Sequence, residues 1–208
     1  YGVEISSVLT AVEGVDIENN LLSIIQKQDC KLGYRDSIFK QELKGKFIIT
    51  AVYLSLQKKP SINVSYGDVE KRLSHIPKQE ITIKHVSETI SAIRTEKLPN
   101  PKVLGNAGSF FKNVVIQNQA FEAIQKEYPS IPHFVVENGV KIPTAWLIEQ
   151  CGFKGLQQGN VGCYKTQPLV IVNYGNATGQ EVFDYSAKVI IAVKQKFGIL
   201  LEREVNVM

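Results

Sequence analysis

The stretch from Asn100 to Asn113 constrains the fold of this chain more than any other segment. It reads NPKVLGNAGSFFKN, in which Gly105, Gly108 and neighbouring small residues separate a proline-punctuated turn from two phenylalanines. Glycine adopts backbone angles that other residues avoid, and it lets a ligand approach the main chain closely. The phenylalanines can anchor this glycine segment in a core and so hold Ser109 in place. Taken alone, the pattern fits either a tight turn with a buried aromatic end or a ligand-binding loop.

The overall composition is that of an ordinary globular protein. Of the 208 residues, 44% are hydrophobic and 21% are charged, and a chain of this length can bury a sizeable core. The sequence has no apolar run of transmembrane length and no segment with the pattern of a signal peptide. The net charge of +4 is modest, and basic and acidic residues interleave along the chain. Because nucleic-acid-binding proteins carry a denser basic surface, we expect neither a nucleic acid nor a membrane as a partner.

The cysteines and histidines argue against a disulfide framework or a metal site. Cys30, Cys151 and Cys163 are scattered, and no two of them form a Cys-x-x-Cys pair. The three histidines are also far apart in the sequence. This distribution predicts no metal and agrees with a reducing compartment such as the cytoplasm.

The first part of the chain is predicted to be mostly strand. Residues 1–18 alternate loosely between apolar and polar, and Asn19-Asn20 marks a turn. Residues 47–56, FIITAVYLSL, form an almost continuous apolar run that predicts a buried strand. Residues 57–81 are polar and interrupted by prolines and a glycine, which indicates a long loop or a linker. The opening YGVEI reads as the end of a turn entering a strand, so we expect further sequence upstream.

The remainder of the chain mixes helices and strands. Apolar spacing predicts helices at 82–95, 118–128 and 143–151. Thr178-Gly-Gln-Glu181 is a capping-box pattern that opens a further helix, which Gly198 ends. Short apolar runs predict strands at 134–136, 168–173 and 199–205. The chain is therefore expected to have an α+β fold.

A second segment of interest, GYRDSIFK at residues 33–40, places an arginine in a polar loop. The guanidinium of Arg35 can bind a carboxylate through two hydrogen bonds. It can equally form a surface salt bridge with Asp36 or another neighbour. The residues alone leave both interpretations open.

Three shorter patterns have equally ordinary explanations. Leu201-Glu-Arg-Glu-Val205 alternates like an exposed edge strand, and Ser65-Tyr-Gly-Asp68 has the composition of a turn. Arg94 and Lys97 precede the glycine segment and suit the C-terminus of a helix, where the helix dipole favours cations.

Together these segments resemble the UDP-N-acetylenolpyruvoylglucosamine reductase family, MurB. Leu98–Asn113 closely resembles the signature loop of these flavoenzymes of bacterial cell-wall precursor synthesis, and Gly33–Lys40 resembles a second family block. Residues 202–204 resemble a motif in which two glutamates flank one residue, usually proline, which is Arg203 here. Ser65–Asp68 resembles the tyrosine loop of one subclass. The four blocks follow the family's order along nearly the whole chain.

The resemblance implies a division into domains. Residues 1–80 would form the C-terminal half of a PCMH-type FAD-binding domain, together with the tyrosine loop. Residues 81–198 would form a MurB C-terminal α/β substrate-binding domain, and residues 199–208 a strand that returns toward the FAD-binding region. Most of the flavin-binding surface would belong to an N-terminal portion that this sequence lacks.

The resemblance also implies roles for individual residues. Arg35 would stabilise charge on the substrate carboxylate, Glu204 would help to polarise that group, and Ser109 would donate a proton as general acid. The nucleotide sugar would be held by Tyr66, Arg94, Lys97, Asn113 and Gln157. Contacts to FAD would come from Tyr1, Gly2 and Ile49.

The implied reaction has two half-reactions. NADPH reduces FAD, and hydride then passes from the flavin to the enolpyruvyl β-carbon of UDP-N-acetylglucosamine enolpyruvate, giving UDP-N-acetylmuramate. A monomeric enzyme of the bacterial cytoplasm is expected. Two alternatives stay open at this point: a catalytically silent nucleotide-sugar binding module without its flavin domain, and an unrelated α+β scaffold.

Overall fold

The structure, a computed structural model, describes residues 3–207. The chain divides into two compact units, with the boundary between Ala92 and Ile93. Helices and sheets occur in both units, as the α+β prediction requires.

The first unit is built on a three-stranded antiparallel sheet in the order β2-β1-β3. Its strands are β1 (Leu9–Asp16), β2 (Leu21–Gln26) and β3 (Phe47–Leu54). The turn predicted at Asn19-Asn20 joins β1 to β2, and Asn20 adopts a left-handed backbone with φ 54°. A small core of Leu9, Val12 and Cys30 lies against one face of this sheet.

The prediction that residues 47–56 form a buried strand is wrong in its burial. The strand β3 forms, but Ile48 and Ile49 are 56% and 46% exposed, and Val52 is 48% exposed. On the opposite edge strand, Leu22 is 65% exposed. A continuous apolar run predicts burial on both faces, whereas the described residues cover only part of this sheet.

The polar stretch 57–81, predicted to be a long loop, contains the helix α1 (Asp68–Leu73). Val69 and Leu73 of this helix are buried. The longer helix α2 (Ile83–Lys97) follows, close to the predicted 82–95.

The second unit contains two antiparallel sheets and three further helices. The four-stranded sheet has the order β4-β10-β9-β8, and the three-stranded sheet has the order β5-β7-β6. In chain order the elements are β4 (Gly105–Ser109), β5 (Val114–Ile116), α3 (Asn118–Glu127), β6 (Phe134–Val136), β7 (Gly139–Ile142), α4 (Thr144–Gln150), β8 (Gln157–Gln158), β9 (Val161–Cys163), β10 (Val170–Asn173) and α5 (Gly179–Phe197).

The core of the second unit gathers around α5. Val189 and Val193 on this helix are fully buried, as are Leu147 and Ile148 of α4. The predicted capping box opens α5, because the Thr178 hydroxyl accepts from the Glu181 N–H while the Glu181 carboxylate accepts from the Thr178 N–H. Gly198 ends the helix with φ 70°, as predicted.

Residues 199–205 do not form the strand that their apolar alternation predicts. They make a single antiparallel bridge, between Arg203 and Phe111. The pairing is short because its partner is only the end of the glycine segment, where Phe110 and Phe111 turn into the core.

Tyr185, on the buried face of α5, holds the hairpin of β8 and β9. Its hydroxyl donates to the carbonyl oxygen of Leu156 at 2.8 Å and accepts from the N–H of Cys163 at 3.2 Å. A Cβ added to Gly162 would lie 2.6 Å from the same Leu156 oxygen, so only glycine fits there. Burial raises the pKa of the Tyr185 hydroxyl, which therefore stays protonated and able to donate near neutral pH.

We expect Tyr185→Phe to lower the free energy of unfolding by about 1–2 kcal/mol, because the two hydrogen bonds of the hydroxyl are lost, while the Cys163 N–H keeps the Leu156 carbonyl oxygen as an acceptor at 3.1 Å. Urea denaturation followed by the fluorescence of Trp146, the single tryptophan of the chain, reports on the second unit. Tyr174→Phe, in the turn after β10, is the matched control and should change the value by less than about 0.5 kcal/mol. Equal midpoints for Tyr185→Phe and the parent chain would contradict this role of the hydroxyl.

Candidate functional site

The glycine segment is an irregular strand rather than a free loop. In β4, Gly105 lies opposite Asn173, Asn106 opposite Val172 and Ser109 opposite Val170, with an irregularity in the register between them. Gly108, within this irregularity, has a φ of 72°, a backbone conformation that residues with a side chain rarely adopt.

Asn106 supports the irregular part of β4. Its side-chain oxygen accepts from the N–H of Gly108 at 3.0 Å, and its amide group donates to the carbonyl oxygen of Leu104 at 2.8 Å. Phe110 and Phe111 are 5% and 1% exposed, as the anchoring prediction expects, while Ser109 just before them is exposed. The segment thus presents a serine hydroxyl at the surface on a backbone fixed from both sides.

The chain's C-terminal segment pairs with the end of β4. The N–H of Glu204 donates to the carbonyl oxygen of Phe110 at 2.9 Å, and the N–H of Lys112 donates to the carbonyl oxygen of Glu202 at 3.0 Å. An ion pair between the Lys112 ammonium and the Glu202 carboxylate supports the same contact. Because Phe110 directly follows Ser109, the two predicted catalytic residues of this unit, Ser109 and Glu204, lie at neighbouring positions of paired segments.

Asn113 has a structural role that the sequence did not indicate. Its side-chain oxygen accepts from the N–H of Thr144 at 3.0 Å, at the start of α4. The fully buried Thr144 hydroxyl donates in turn to the carbonyl oxygen of Lys112 at 2.7 Å. The amide of Asn113 is therefore held in a defined orientation beside the pairing that carries Glu204.

The other predicted substrate residues of this unit lie on exposed elements. The Gln157 amide donates to the carbonyl oxygen of Gly159 at 2.8 Å, across the turn of the β8–β9 hairpin. Arg94 and Lys97 occupy the exposed last turn of α2, as their helix C-terminal pattern predicts. The carbonyl of Lys97 accepts from the Thr166 hydroxyl at 2.9 Å, which ties that helix end to the loop before β10.

In the first unit, Arg35 has an unusual backbone conformation. Its φ is 54°, in the left-handed region that a residue with a side chain rarely adopts. Hydrogen bonds between the backbones of Gly33 and Asp36 close the loop around it, and the Lys40 ammonium donates to the Arg35 carbonyl oxygen at 3.0 Å. The Asp36 carboxylate accepts from the amide of Gln41 at 2.9 Å. Strained positions of this kind concentrate at functional sites.

The remaining predicted residues also belong to the first unit. Tyr66 is 52% exposed and lies just before α1, where the Asn63 side chain accepts from the N–H of Ser65 at 3.0 Å. Ile49 lies on β3 opposite Gly14. Tyr1 and Gly2, predicted to contact FAD, lie outside the described residues.

Residues 3–207 contain no group of three or more histidine, cysteine, aspartate or glutamate side chains arranged to hold a metal ion. Over the same residues, no helix has the length and apolar character needed to span a bilayer. Burial raises the pKa of the Cys163 thiol to about 11, so this buried cysteine is not an activated nucleophile.

Sequence reasoning missed several supporting residues. Asn106 stands two residues before Gly108, a spacing typical of a side chain that accepts from the backbone two positions on. Thr144 and Tyr185 gave no such signal, because each lies in a helical pattern and finds its polar partner only through tertiary contact.

The chain is similar to a known protein family. The family model described as UDP-N-acetylenolpyruvoylglucosamine reductase, C-terminal domain, matches residues 100–208. The match begins at the glycine segment and includes Glu204.

Curated relatives extend the similarity to the whole chain. The UDP-N-acetylenolpyruvoylglucosamine reductase of Flavobacterium johnsoniae is 47% identical over 210 residues, covering 100% of this chain and 62% of the relative. The protein of the same name from Amoebophilus asiaticus is 43% identical over 209 residues, with the same two coverages. The chain therefore spans about three-fifths of the length of these relatives.

A solved structure shares the fold. The crystal structure of UDP-N-acetylenolpyruvylglucosamine reductase (MurB) from Thermus caldophilus superposes with a TM-score of 0.56 at 22% identity, covering 97% of this chain and 53% of that one. Since the family model alone matches more than half of the residues, the unrelated scaffold is excluded, and this chain belongs to the UDP-N-acetylenolpyruvoylglucosamine reductase (MurB) family.

Proposed function

We propose that this chain supplies the substrate-binding and catalytic side chains of an NADPH-dependent, FAD-containing reductase that converts UDP-N-acetylglucosamine enolpyruvate to UDP-N-acetylmuramate. Among the structural observations, the main support is the pairing of Glu204 with Phe110, which brings the backbone of Glu204 next to the residue that follows the exposed Ser109. Residues from both ends of the second unit thus contribute to one place on its surface.

The first unit supports a role as part of the FAD-binding domain. Its sheet exposes apolar side chains on both faces, with Leu22 and Ile48 in one cross-strand row and Ile49 in the next, and exposed apolar surface of this kind is typical of an interaction surface. Ile49 offers a half-exposed apolar contact that suits a flat aromatic ring. We assign residues 1–80 to one half of that domain, and we propose that the additional length of the relatives covers the rest of its sheet.

The other domain assignments follow the same proposal. Residues 81–198 are the substrate-binding domain, and residues 199–208 lead back toward the FAD-binding region. FAD, when bound, would supply the hydride chemistry between NADPH and the substrate. Side chains of this chain would bind the substrate, stabilise its charge and donate the proton. The monomeric state and cytoplasmic location expected from the sequence stay predictions.

Arg35, Glu204 and Ser109 have complementary roles in this proposal. Addition of hydride to the enolpyruvyl β-carbon moves negative charge toward the carboxylate, where the guanidinium of Arg35 stabilises it by a charge-assisted contact. Glu204 helps to polarise the same group. Ser109 then donates its proton to the α-carbon as general acid. The closed loop around Arg35 and the hydrogen bond of Asn106 to Gly108 fix the backbone from which the two side chains extend.

The nucleotide sugar is assigned to the remaining predicted residues. Arg94 and Lys97 place two cations on one exposed helix turn, which suits the diphosphate. Asn113 and Gln157 offer amide groups to the sugar and diphosphate, and Tyr66 covers the substrate from the tyrosine loop.

We expect Ser109→Ala, made in the full-length protein loaded with FAD, to leave flavin reduction by NADPH unchanged. Flavin reoxidation by substrate should slow by at least roughly 10²-fold, the scale of a lost general acid. Stopped-flow absorbance of the flavin measures each half-reaction separately. Ser130→Ala, which removes another exposed serine hydroxyl of the second unit, is the control and should change neither rate. Equal slowing of both half-reactions by Ser109→Ala would refute the general-acid role.

A second candidate function is a nucleotide-sugar binding module without activity of its own. The exposed apolar sheet of the first unit favours this binding function for the 208-residue chain in isolation. One half of an FAD-binding domain would not enclose FAD and so would not retain it. We therefore expect the purified 208-residue chain to be colourless and to bind UDP-N-acetylglucosamine in calorimetry. A yellow preparation would contradict the module, and a chain that folds but binds no nucleotide sugar would contradict both functions.

A further inference from the structure

We propose that Arg203 is a positioning residue that selects which of two glutamates lies opposite Phe110, the residue that follows Ser109. The inference rests on the proposed function, in which Glu204 acts on the substrate. Arg203 stands between Glu202 and Glu204, and its side chain makes contacts that neither glutamate makes.

Arg203 is attached to α5 through two neighbouring residues of that helix. Its Nε donates to the Ser186 hydroxyl oxygen at 2.8 Å, and its guanidinium carbon lies 4.2 Å from the centre of the Phe183 ring. Ser186 is fully buried, and its own hydroxyl donates to the Phe183 carbonyl oxygen at 2.6 Å. The hydroxyl proton of Ser186 is therefore used in the bond to Phe183, and the hydroxyl oxygen can accept a hydrogen bond from Arg203.

The segment around Arg203 alternates between two faces. Leu201 is buried, Val205 packs against the same core, and Arg203 lies between them on the inward row. Glu202 and Glu204 form the outward row, because successive residues of an extended segment point to opposite faces. Arg203 is thus the single polar side chain on the inward row of this segment.

This alternation alone would allow the C-terminal segment to shift its register against residues 110–112. A shift of the segment by two residues keeps apolar and acidic residues on their own faces, but it replaces Glu204 by Glu202 opposite Phe110. Such a shift would bring Leu201 or Val205 to the Ser186 hydroxyl, and neither can donate a hydrogen bond to it. The contacts of Arg203 with Ser186 and Phe183 therefore distinguish the observed register from its nearest competitors, and they fix Glu204 opposite Phe110, one residue after Ser109.

The test uses Arg203→Met in the full-length, FAD-loaded protein, since methionine keeps length and apolar bulk but cannot donate to Ser186. We expect flavin reduction by NADPH to be unchanged and flavin reoxidation by substrate to slow by roughly 10- to 100-fold, the scale of a misplaced catalytic group. The loss should appear in kcat more than in KM. Arg203→Lys, which keeps the charge and a donor, should lose less and guards against a failure to fold.

Lys196→Met is the matched control. Lys196 also lies on α5, donates to a backbone carbonyl oxygen at 2.6 Å and stands 5.7 Å from the centre of the Phe197 ring. Its replacement removes the same kinds of contact away from the C-terminal segment, so both half-reactions should keep the parent rate.

A double variant separates positioning from a general effect on the fold. If Arg203 acts through Glu204, then Arg203→Met should add no further slowing in a Glu204→Gln background. Multiplied losses in the double variant would mean that Arg203 acts elsewhere and would overturn the proposal.

Amide hydrogen exchange gives a readout that does not depend on activity. The N–H of Glu204 is bonded to Phe110 and should lose protection in Arg203→Met while remaining protected in Lys196→Met. If the parent protein does not reoxidise flavin with substrate, the proposed function fails, yet this exchange still decides whether Arg203 holds the segment. Parental reoxidation rates together with a protected Glu204 amide in Arg203→Met would overturn the inference.

Discussion

The antiparallel contact between residues 202–204 and residues 110–112 is the interaction on which the candidate site depends. It consists of few hydrogen bonds, and the burial of apolar side chains stabilises the segment on each side of the contact. Phe110 and Phe111 are buried on one side, and Leu201 is buried on the other. The hydrophobic effect therefore brings together two segments that are remote in sequence, and the hydrogen bonds set their register. Glu204 is thereby paired with the residue that follows Ser109.

The helix α5 supports two parts of the candidate site. Its Tyr185 hydroxyl holds the hairpin that carries Gln157, and its Ser186 hydroxyl accepts from Arg203 beside Glu204. Two adjacent polar residues on a buried helical face thus hold the two segments that carry Gln157 and Glu204. Buried hydroxyl groups suit this task, because each must find a partner and so specifies the geometry around it. The long helix with its capping box and its glycine terminus provides a rigid base for both.

The two units differ in how fully they bury their apolar residues. The second unit has a continuous core from Phe110 to Leu201, whereas the sheet of the first unit leaves several large apolar side chains exposed. The same first unit holds Arg35 in a left-handed conformation through backbone and ammonium contacts within ten residues. Local hydrogen bonding is thus enough to shape the Arg35 loop, but it does not cover the sheet. This contrast agrees with a chain that spans about three-fifths of its relatives' length.

The sequence by itself determined the features that depend on local pattern: the mixed fold class, the long helices, the capping box at Thr178, the turn at Asn20 and the anchoring phenylalanines. It also carried the motifs of the family to which the chain belongs. Burial of β3 was predicted wrongly, because an apolar run does not reveal whether its covering layer is present. Instead of the strand expected at 199–205, the structure has one bridge, because the length of a strand depends on a partner that is far away in the chain. Only the tertiary structure decided that Glu204 pairs beside Ser109 and that Ser186 accepts from Arg203, because these contacts join residues that no local periodicity connects.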